Sequence, residues 1–161
     1  MPKTSEVTDT LDYVGDIEVG NSWTYWTDSD DGEHVCEIVA LRRYAPFNKP
    51  ECLVLTTRVV HSDTLQEGAT RDWFRTMPQS AREAQSSIPA KDIARFLATL
   101  AKQAGVNYDG DFRKAAVPTI EAVEAGEESE YVGTRIGIRA SSKAMRSDPS
   151  RSFTNLSFYV V

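Results

Sequence analysis

The most constraining feature of this sequence is a change of hydrophobic period in its second half. Between Pro89 and Ala104 the apolar side chains recur at every third or fourth position, which is the stripe of one amphipathic helix: Ile93, Phe96, Leu97, Leu100, Ala101 and Ala104. Pro89 suits the first turn of this helix, and Gly105 suits its C-terminal end. The runs on either side alternate with a period of two, which is typical of half-buried strands. The chain is therefore predicted to be mainly β, with one helix set among its strands.

Three strand-like runs precede the helix and two follow it. They cover residues 34–44, 52–61 and 69–77, and then residues 131–140 and 153–161. The aromatic run SWTYWT (22–27) alternates in the same way and makes a sixth candidate, whereas residues 106–130 are predicted to be mostly loop. Five or six antiparallel strands with one helix between the third and the fourth is the layout of an oligonucleotide-binding (OB) barrel. An α+β sandwich with the helix on one face has the same element order and stays an alternative.

The length of 161 residues fits one domain preceded by a short polar segment. Residues 1–20 are acidic and are predicted to be a loosely ordered lead-in, so the OB domain is placed at residues 21–161. The N-terminus has no apolar signal region, and no apolar run reaches about 18 residues, so neither secretion nor a membrane span is expected. Cys36 and Cys52 are predicted to be reduced thiols of a cytoplasmic protein.

The net charge of −6 hides two opposite tendencies along the chain. Residues 1–33 carry nine acidic side chains against one lysine, and five more acidic side chains fall within residues 121–130. The rest of the chain is basic. Such an uneven distribution creates local potentials that the overall pI conceals, although an acidic segment also serves plain solubility.

Two connections between strands concentrate basic residues. In an OB barrel the loop between strands one and two and the loop between strands four and five flank the binding face. Here these loops are LRRYAPFNKP (41–50) and SSKAMRSDPSRS (141–152), which supply Arg42, Arg43, Lys49, Lys143, Arg146 and Arg151. Cationic groups neutralise phosphates, and the rings of Tyr44 and Phe47 offer flat faces on which unpaired bases stack. The two loops are therefore predicted to bind single-stranded nucleic acid.

The second and third strands add further candidates for the same interface. In the second strand, Arg58 is expected to point away from an apolar row formed by Leu53, Leu55, Thr57 and Val59. In the third strand, Arg71, Trp73 and Arg75 alternate with Phe74. If Phe74 is buried, a row of cation, aromatic ring and cation points away from the core.

The fourth strand shows a similar alternation. Ile136 and Ile138 are expected to face the core, whereas Arg135, Gly137 and Arg139 face outward. A glycine between two arginines leaves room for a base or a sugar to approach the backbone. Arg135 and Arg139 are therefore included among the predicted nucleic-acid-binding residues.

From about residue 34 to its end, the chain resembles phage-encoded single-stranded DNA-binding proteins with an OB fold and a helix before the fourth strand. The resemblance rests on ECLVLTTRVVHSD (51–63), Gly68 leading into DWFRTM (72–77), the helix IARFLATLAKQAGV (93–106), and the pair YVGTRIGIRA (131–140) and LSFYVV (156–161). It implies sequence-tolerant coating of single-stranded DNA in replication or recombination, with RNA as a second ligand class and replication or recombination proteins as partners. It also implies a location in the cytoplasm of a bacterial host. Many such proteins end in an acidic tail that recruits partners, whereas this chain ends in FYVV.

Catalysis is not predicted, because the sequence contains no GxxxxGK[ST], GxSxG or HExxH motif. His34, Cys36, Cys52 and His61 can be drawn as a zinc set, but their spacing matches no recurrent zinc pattern, so no metal and no cofactor is expected. The alternative function is a protein-interaction module. Such a phage structural or host-inhibitory protein would use its acidic segments to bind a basic partner or to mimic DNA.

Overall fold

A computed structural model describes residues 23–106 and 121–161 of the chain. The acidic lead-in predicted for residues 1–20 lies outside the described residues. Five strands form one antiparallel sheet: β1 (Gly32–Tyr44), β2 (Cys52–Ser62), β3 (Thr70–Thr76), β4 (Arg135–Ala144) and β5 (Ser152–Tyr159). Their spatial order is β3-β2-β1-β4-β5. The prediction of a mainly β, antiparallel fold is confirmed.

Two strand predictions need correction. The aromatic run at 22–27 is not a sixth strand in its described part, which pairs with the sheet through one isolated bridge between Tyr25 and Asp72. The fourth strand begins at Arg135 rather than at residue 131, because residues 131–133 form a turn in which Gly133 has a φ of 91°. A left-handed backbone favours glycine and interrupts strand geometry. This strand also continues to Ala144, so the loop that follows it is shorter than predicted.

The helix predicted from the sequence, α2 (Ile88–Gln103), is directly preceded by a second one, α1 (Ala81–Ser86). The hydroxyl of Ser80 accepts the N–H of Glu83 at the start of α1, and the hydroxyl of Ser87 does the same for Ala90 in α2. These caps allow a second helix to begin directly after the first. The region predicted as loop also contains a helical stretch at residues 121–125 and a 3₁₀ turn at Gly126–Glu128. None of the helices in the described ranges is long and apolar enough to cross a membrane.

The sheet is not closed into a barrel by backbone pairing. Within the described residues no ladder joins β3 to β5, which are the two edge strands. Helix α2 packs across this open side with Phe96, whose ring centroid lies 5.7 Å from that of Trp73 on β3 and 4.8 Å from that of Phe158 on β5. Leu100 of the same helix is also fully buried. The closed or nearly closed barrel expected from the sequence is therefore corrected to an unclosed sheet, in which side-chain packing takes the place of a β3–β5 ladder.

One extra residue in β1 decides which side chains reach each face of the sheet. The register with β2 slips between Ile38 and Ala40, so Val39 is a bulge. Before the bulge Ile38 faces the core, and after it Leu41 does. The opposite side of the sheet is called the outer face here. Beyond the bulge this face carries Arg42 and Tyr44.

Candidate functional site

Four aromatic rings form a row on the outer face, near the hairpin between β1 and β2. Phe74 of β3 lies 5.5 Å from Tyr25, Tyr25 lies 6.4 Å from Trp23, and Trp23 lies 5.6 Å from Tyr44 of β1, measured between ring centroids. Tyr25 and Trp23 belong to the segment that crosses the outer face before β1. The row therefore joins three parts of the chain that are far apart in sequence.

These rings enclose a cleft of about 240 Å³. Its lining consists of Trp23, Tyr25, Tyr44, Pro46, Lys49, Pro50, Cys52, Val54, Phe74 and Thr76. Burial raises the pKa of the Cys52 thiol, so this group is uncharged at neutral pH and adds to the apolar wall. Lys49 is the cationic member of the lining. A flat aromatic group with an anionic neighbour matches a cleft of this composition.

Asp72 fixes the segment that supplies Trp23 and Tyr25. The N–H of Thr24 donates to Oδ2 of Asp72 at 2.8 Å, and the N–H of Asp72 donates to the carbonyl of Thr24 at 2.6 Å. The Thr56 hydroxyl donates to Oδ1 at 2.7 Å. Sequence reasoning included none of Trp23, Tyr25 and Asp72 in the site. The aromatic run SWTYWT could have indicated Trp23 and Tyr25, but nothing in the sequence pairs this run with Asp72 of β3.

A second polar contact holds the next part of this segment. The buried carboxylate of Asp30 accepts hydrogen bonds from Arg71 at 2.9 and 3.2 Å and from the N–H of Thr27 at 3.0 Å. Burial acts to raise the pKa of Asp30, but these hydrogen bonds and the charge of Arg71 outweigh it, so the pKa lies below its ordinary value. Arg71 was predicted to point away from the core toward phosphate. It is instead engaged in an internal ion pair.

The predicted face of the third strand is reversed. Trp73 is 5% exposed and belongs to the core, whereas Phe74 is 43% exposed and lies in the cleft. Trp73 pairs in register with Leu55, which faces the core, so it must face the same way. Arg75 lies over the Trp73 ring at 5.6 Å and donates to Asp92 at 3.1 Å. The assignment of Arg71, Trp73 and Arg75 to an outward row was wrong.

The arginines of the β1–β2 hairpin lie next to glutamates. The guanidinium of Arg42 lies 5.2 Å from the Trp23 ring and 3.7 Å from a carboxylate oxygen of Glu127. Arg43 donates two hydrogen bonds to Glu51, at 2.8 and 2.7 Å, and lies 3.9 Å from Glu124. These hydrogen bonds lower the pKa of Glu51.

Phe47 does not reach the cleft. It lies at the tip of the hairpin with 60% of its surface exposed. The hairpin thus separates its two predicted stacking residues, since Tyr44 lines the cleft and Phe47 points to solvent.

The outer face of β4 is also more occupied than predicted. Arg139 forms an ion pair with Glu33 and lies 6.0 Å from the ring of Tyr159. Gly137 is covered by the same ring, because a Cβ atom at this position would overlap Tyr159. The expected open space beside this glycine is therefore filled by the protein itself.

Other predicted cations lie elsewhere on the surface. Arg58 lies 3.5 Å from Glu37, and Arg135 is exposed on the same face. The cations of the β4–β5 hairpin are exposed and form no ion pair with any described residue: Lys143, Arg146 and Arg151. Because β4 runs antiparallel to β1, this hairpin and the β1–β2 hairpin leave opposite ends of the sheet. The predicted set is therefore not one continuous patch.

Three of the four residues drawn as a zinc set, His34, Cys36 and Cys52, are buried. Both ring nitrogens of His34 are engaged, one with the carbonyl of Asp30 at 2.7 Å and the other with the Ser62 hydroxyl at 2.6 Å. Burial raises the pKa of the Cys36 thiol to about 12. Across the described ranges, no three His, Cys, Asp or Glu side chains are grouped so that they could hold a metal ion.

Comparison with known proteins adds no relative. No protein-family model matches the chain, and no curated protein matches it. Inference about function therefore rests on the cleft and the charges around it.

Proposed function

We propose that this protein binds single-stranded nucleic acid, with unpaired bases stacking in the aromatic cleft. The observation that carries the proposal is the row of four rings beside a basic hairpin. Stacking of a base on an aromatic side chain contributes about 1–3 kcal/mol and tolerates any base, because every base has a flat face. The cleft therefore supports binding that depends weakly on sequence, as expected of a protein that coats single strands.

Cations at the rim supply the contacts to phosphate. Lys49 lines the cleft, and Arg42 is held against the Trp23 ring at its edge. The carboxylates that neighbour Arg42 and Arg43 belong to exposed ion pairs, which contribute little to stability. Phosphates can therefore replace these carboxylates at small cost. Lys143, Arg146 and Arg151 stay predicted phosphate contacts at the other end of the sheet.

The strand order favours the finer assignment of the fold. The spatial order β3-β2-β1-β4-β5 matches an OB barrel that is opened between β3 and β5. The cleft lies against the strands and the first loop that bind oligonucleotides in this fold. A phage-encoded, non-enzymatic, cytoplasmic protein acting on single-stranded DNA in replication or recombination fits this arrangement. The second candidate, a protein-interaction module, is favoured by the glutamates that neutralise Arg42 and Arg43.

Substitution of Phe74 tests the cleft directly. Phe74→Ala is expected to weaken binding of a short oligo-dT, about five nucleotides long, by roughly 5- to 100-fold, because one stacking partner is lost. Phe153→Ala is the matched control, since Phe153 is equally exposed, at 43%, but lies on β5 outside the cleft. Fluorescence anisotropy of a labelled oligonucleotide measures both affinities, and thermal melting checks that both variants are folded.

Tryptophan fluorescence gives an independent reading of the same site. Of the three tryptophans, Trp26 and Trp73 are buried, so quenching by oligo-dT should come from Trp23 and should disappear in Trp23→Phe. If Phe74→Ala and Phe153→Ala bind oligo-dT equally well, or wild type shows no binding at low salt, the proposed function fails and the interaction module becomes the better candidate.

Neutralising the two glutamates beside the hairpin arginines should strengthen binding. In Glu124→Gln/Glu127→Gln, phosphate no longer competes with the Glu127 carboxylate for Arg42, and Arg43 keeps Glu51 but loses its second carboxylate neighbour, so affinity for oligo-dT is expected to rise several-fold. The control Glu121→Gln/Glu130→Gln changes the charge of the same segment equally but removes no contact to these arginines. An equal rise in both variants would show a long-range charge effect rather than competition at the hairpin.

A further inference from the structure

A buried carboxylate is hydrogen-bonded to the segment that supplies two rings of the cleft. Asp72 is buried on the outer face of β3, two residues before Phe74. Among the described residues it forms no ion pair, and its carboxylate is bound by the N–H of Thr24 and the hydroxyl of Thr56. Buried polar atoms need hydrogen-bond partners, and the two oxygens of Asp72 find theirs in two different parts of the chain.

Its hydrogen bonds point to a specific role in placing the aromatic segment. Asp72 contacts Thr24 twice, once through its carboxylate and once through its own backbone N–H. Thr24 lies between Trp23 and Tyr25, the two rings that form the middle of the aromatic row. The backbone contact belongs to the isolated parallel bridge between Tyr25 and Asp72, so Asp72 joins this part of the segment to β3 through both its backbone and its side chain. The positions of the two rings are therefore coupled to this residue, and its carboxylate is the part of the link that a substitution can remove.

We infer that Asp72 is a positioning residue for nucleic-acid binding, which holds Trp23 and Tyr25 in the cleft for stacking. This inference rests on the proposed function. β3 then supplies two parts of the site, since it carries the ring of Phe74 and the anchor of the opposite wall. Thr56 of the neighbouring strand orients the carboxylate by donating to its second oxygen, at 2.7 Å.

The test compares removal of the carboxylate with its conservative replacement. Asp72→Ala deletes both acceptors, whereas Asp72→Asn can accept from the Thr24 N–H and donate to the Thr56 hydroxyl. Binding of short oligo-dT should fall about tenfold or more in Asp72→Ala and should be largely retained in Asp72→Asn. In ¹H–¹⁵N spectra of the free protein, the indole signal of Trp23, assigned with Trp23→Phe, should shift in Asp72→Ala, while those of Trp26 and Trp73 should stay in place.

A double-mutant cycle separates positioning from a general structural effect. If Asp72 acts through the aromatic segment, the double variant Asp72→Ala/Trp23→Ala should bind oligo-dT with about the affinity of whichever single variant, Asp72→Ala or Trp23→Ala, binds less tightly. Additive losses, or an unmoved Trp23 indole signal in a folded Asp72→Ala, would overturn the inference, as would equal losses in the Ala and Asn variants. Should Asp72→Ala fail to fold, retained binding and an unmoved indole signal in Thr56→Val would overturn it. The indole signals need no nucleic acid, so the two proposals fail separately: absence of binding by wild type refutes the proposed function and the nucleic-acid role of Asp72 with it, whereas an unmoved Trp23 signal refutes the placement of the ring by Asp72 even if wild type binds.

Discussion

Replacing Phe96 with alanine is expected to lower the free energy of unfolding by about 3–5 kcal/mol, because its ring is fully buried and its removal leaves a cavity. This ring contacts Trp73 of β3 and Phe158 of β5 across the open side of the sheet. The described residues contain no backbone ladder there, so the substitution removes the packing that joins the two edge strands. Urea unfolding followed by circular dichroism measures the loss from the shift of the midpoint.

The matched control for Phe96 is Phe47→Ala. Phe47 is exposed at a hairpin tip, so its removal leaves no cavity and should change stability by no more than about 0.5 kcal/mol. Amide hydrogen exchange adds spatial detail, because β5 should lose protection in Phe96→Ala. A loss below about 1 kcal/mol, with β5 still protected, would contradict the role given to the aromatic cluster.

Asp30→Asn is expected to cost about 3 kcal/mol at neutral pH. The Asp30 side chain is 2% exposed and is the ion-pair partner of Arg71, and breaking a buried pair from one side leaves the other charge uncompensated. In the asparagine amide an NH₂ group also replaces one carboxylate oxygen, so one of the two atoms that accept hydrogen bonds from Arg71 and from the N–H of Thr27 is lost. Thermal or urea unfolding of both proteins at pH 7 measures the difference.

The same substitution has a defined pH dependence. The pKa of Asp30 is lowered in the folded protein from an ordinary value of 3.8, so its ionised form stabilises the fold above that pH. This contribution is lost as the pH falls below 3.8 and through the folded pKa. The stability gap between wild type and Asp30→Asn should therefore narrow in this acid range. The control is Asp28→Asn, an exposed substitution in the same 3₁₀ turn, which should have the stability of wild type across this range. If the stability difference between wild type and Asp30→Asn does not change with pH, the ion pair is not its source.

Alternation in β2 was predictable because one of its faces is clearly apolar. Leu53, Leu55 and Val59 face the core as expected, and Arg58 is exposed. In β3 the same reasoning failed. Trp73 and Phe74 are adjacent aromatic residues, so the sequence pattern is equally compatible with either of them facing the core.

The composition of the outer face explains why the site itself was only partly predicted. Val54 lies on this face yet is fully buried, since Trp23 and Tyr25 cover part of the sheet. The alternation of β2 shows which row faces the core, but it does not indicate which segment covers the other face. The contact that brings Thr24 to Asp72 spans 48 residues and is made by a carboxylate, a type that sequence patterns place at the surface.

The sequence predicted where the basic side chains of the first hairpin lie along the chain, but not which acidic side chains would lie beside them. Arg42 and Arg43 do leave the end of β1, but Glu124 and Glu127 approach them from a distant segment. That segment is anchored by Ala122 and Val123, which are buried in the core. Composition revealed the acidic run, whereas its docking beside the hairpin depends on tertiary packing that periodicity does not report.

The bulge at Val39 makes β1 sensitive to its length as well as to its composition. Without the bulge, regular alternation from Ile38 onward would carry Arg42 and Tyr44 to the interior and Leu41 to solvent. A single-residue insertion or deletion between Ile38 and Tyr44, other than one that simply removes the bulge, should therefore be tolerated far less than substitutions at exposed positions of the same strand. During evolution, the exposed positions of β1 should therefore accept substitutions readily, whereas the number of residues on either side of the bulge should stay constant.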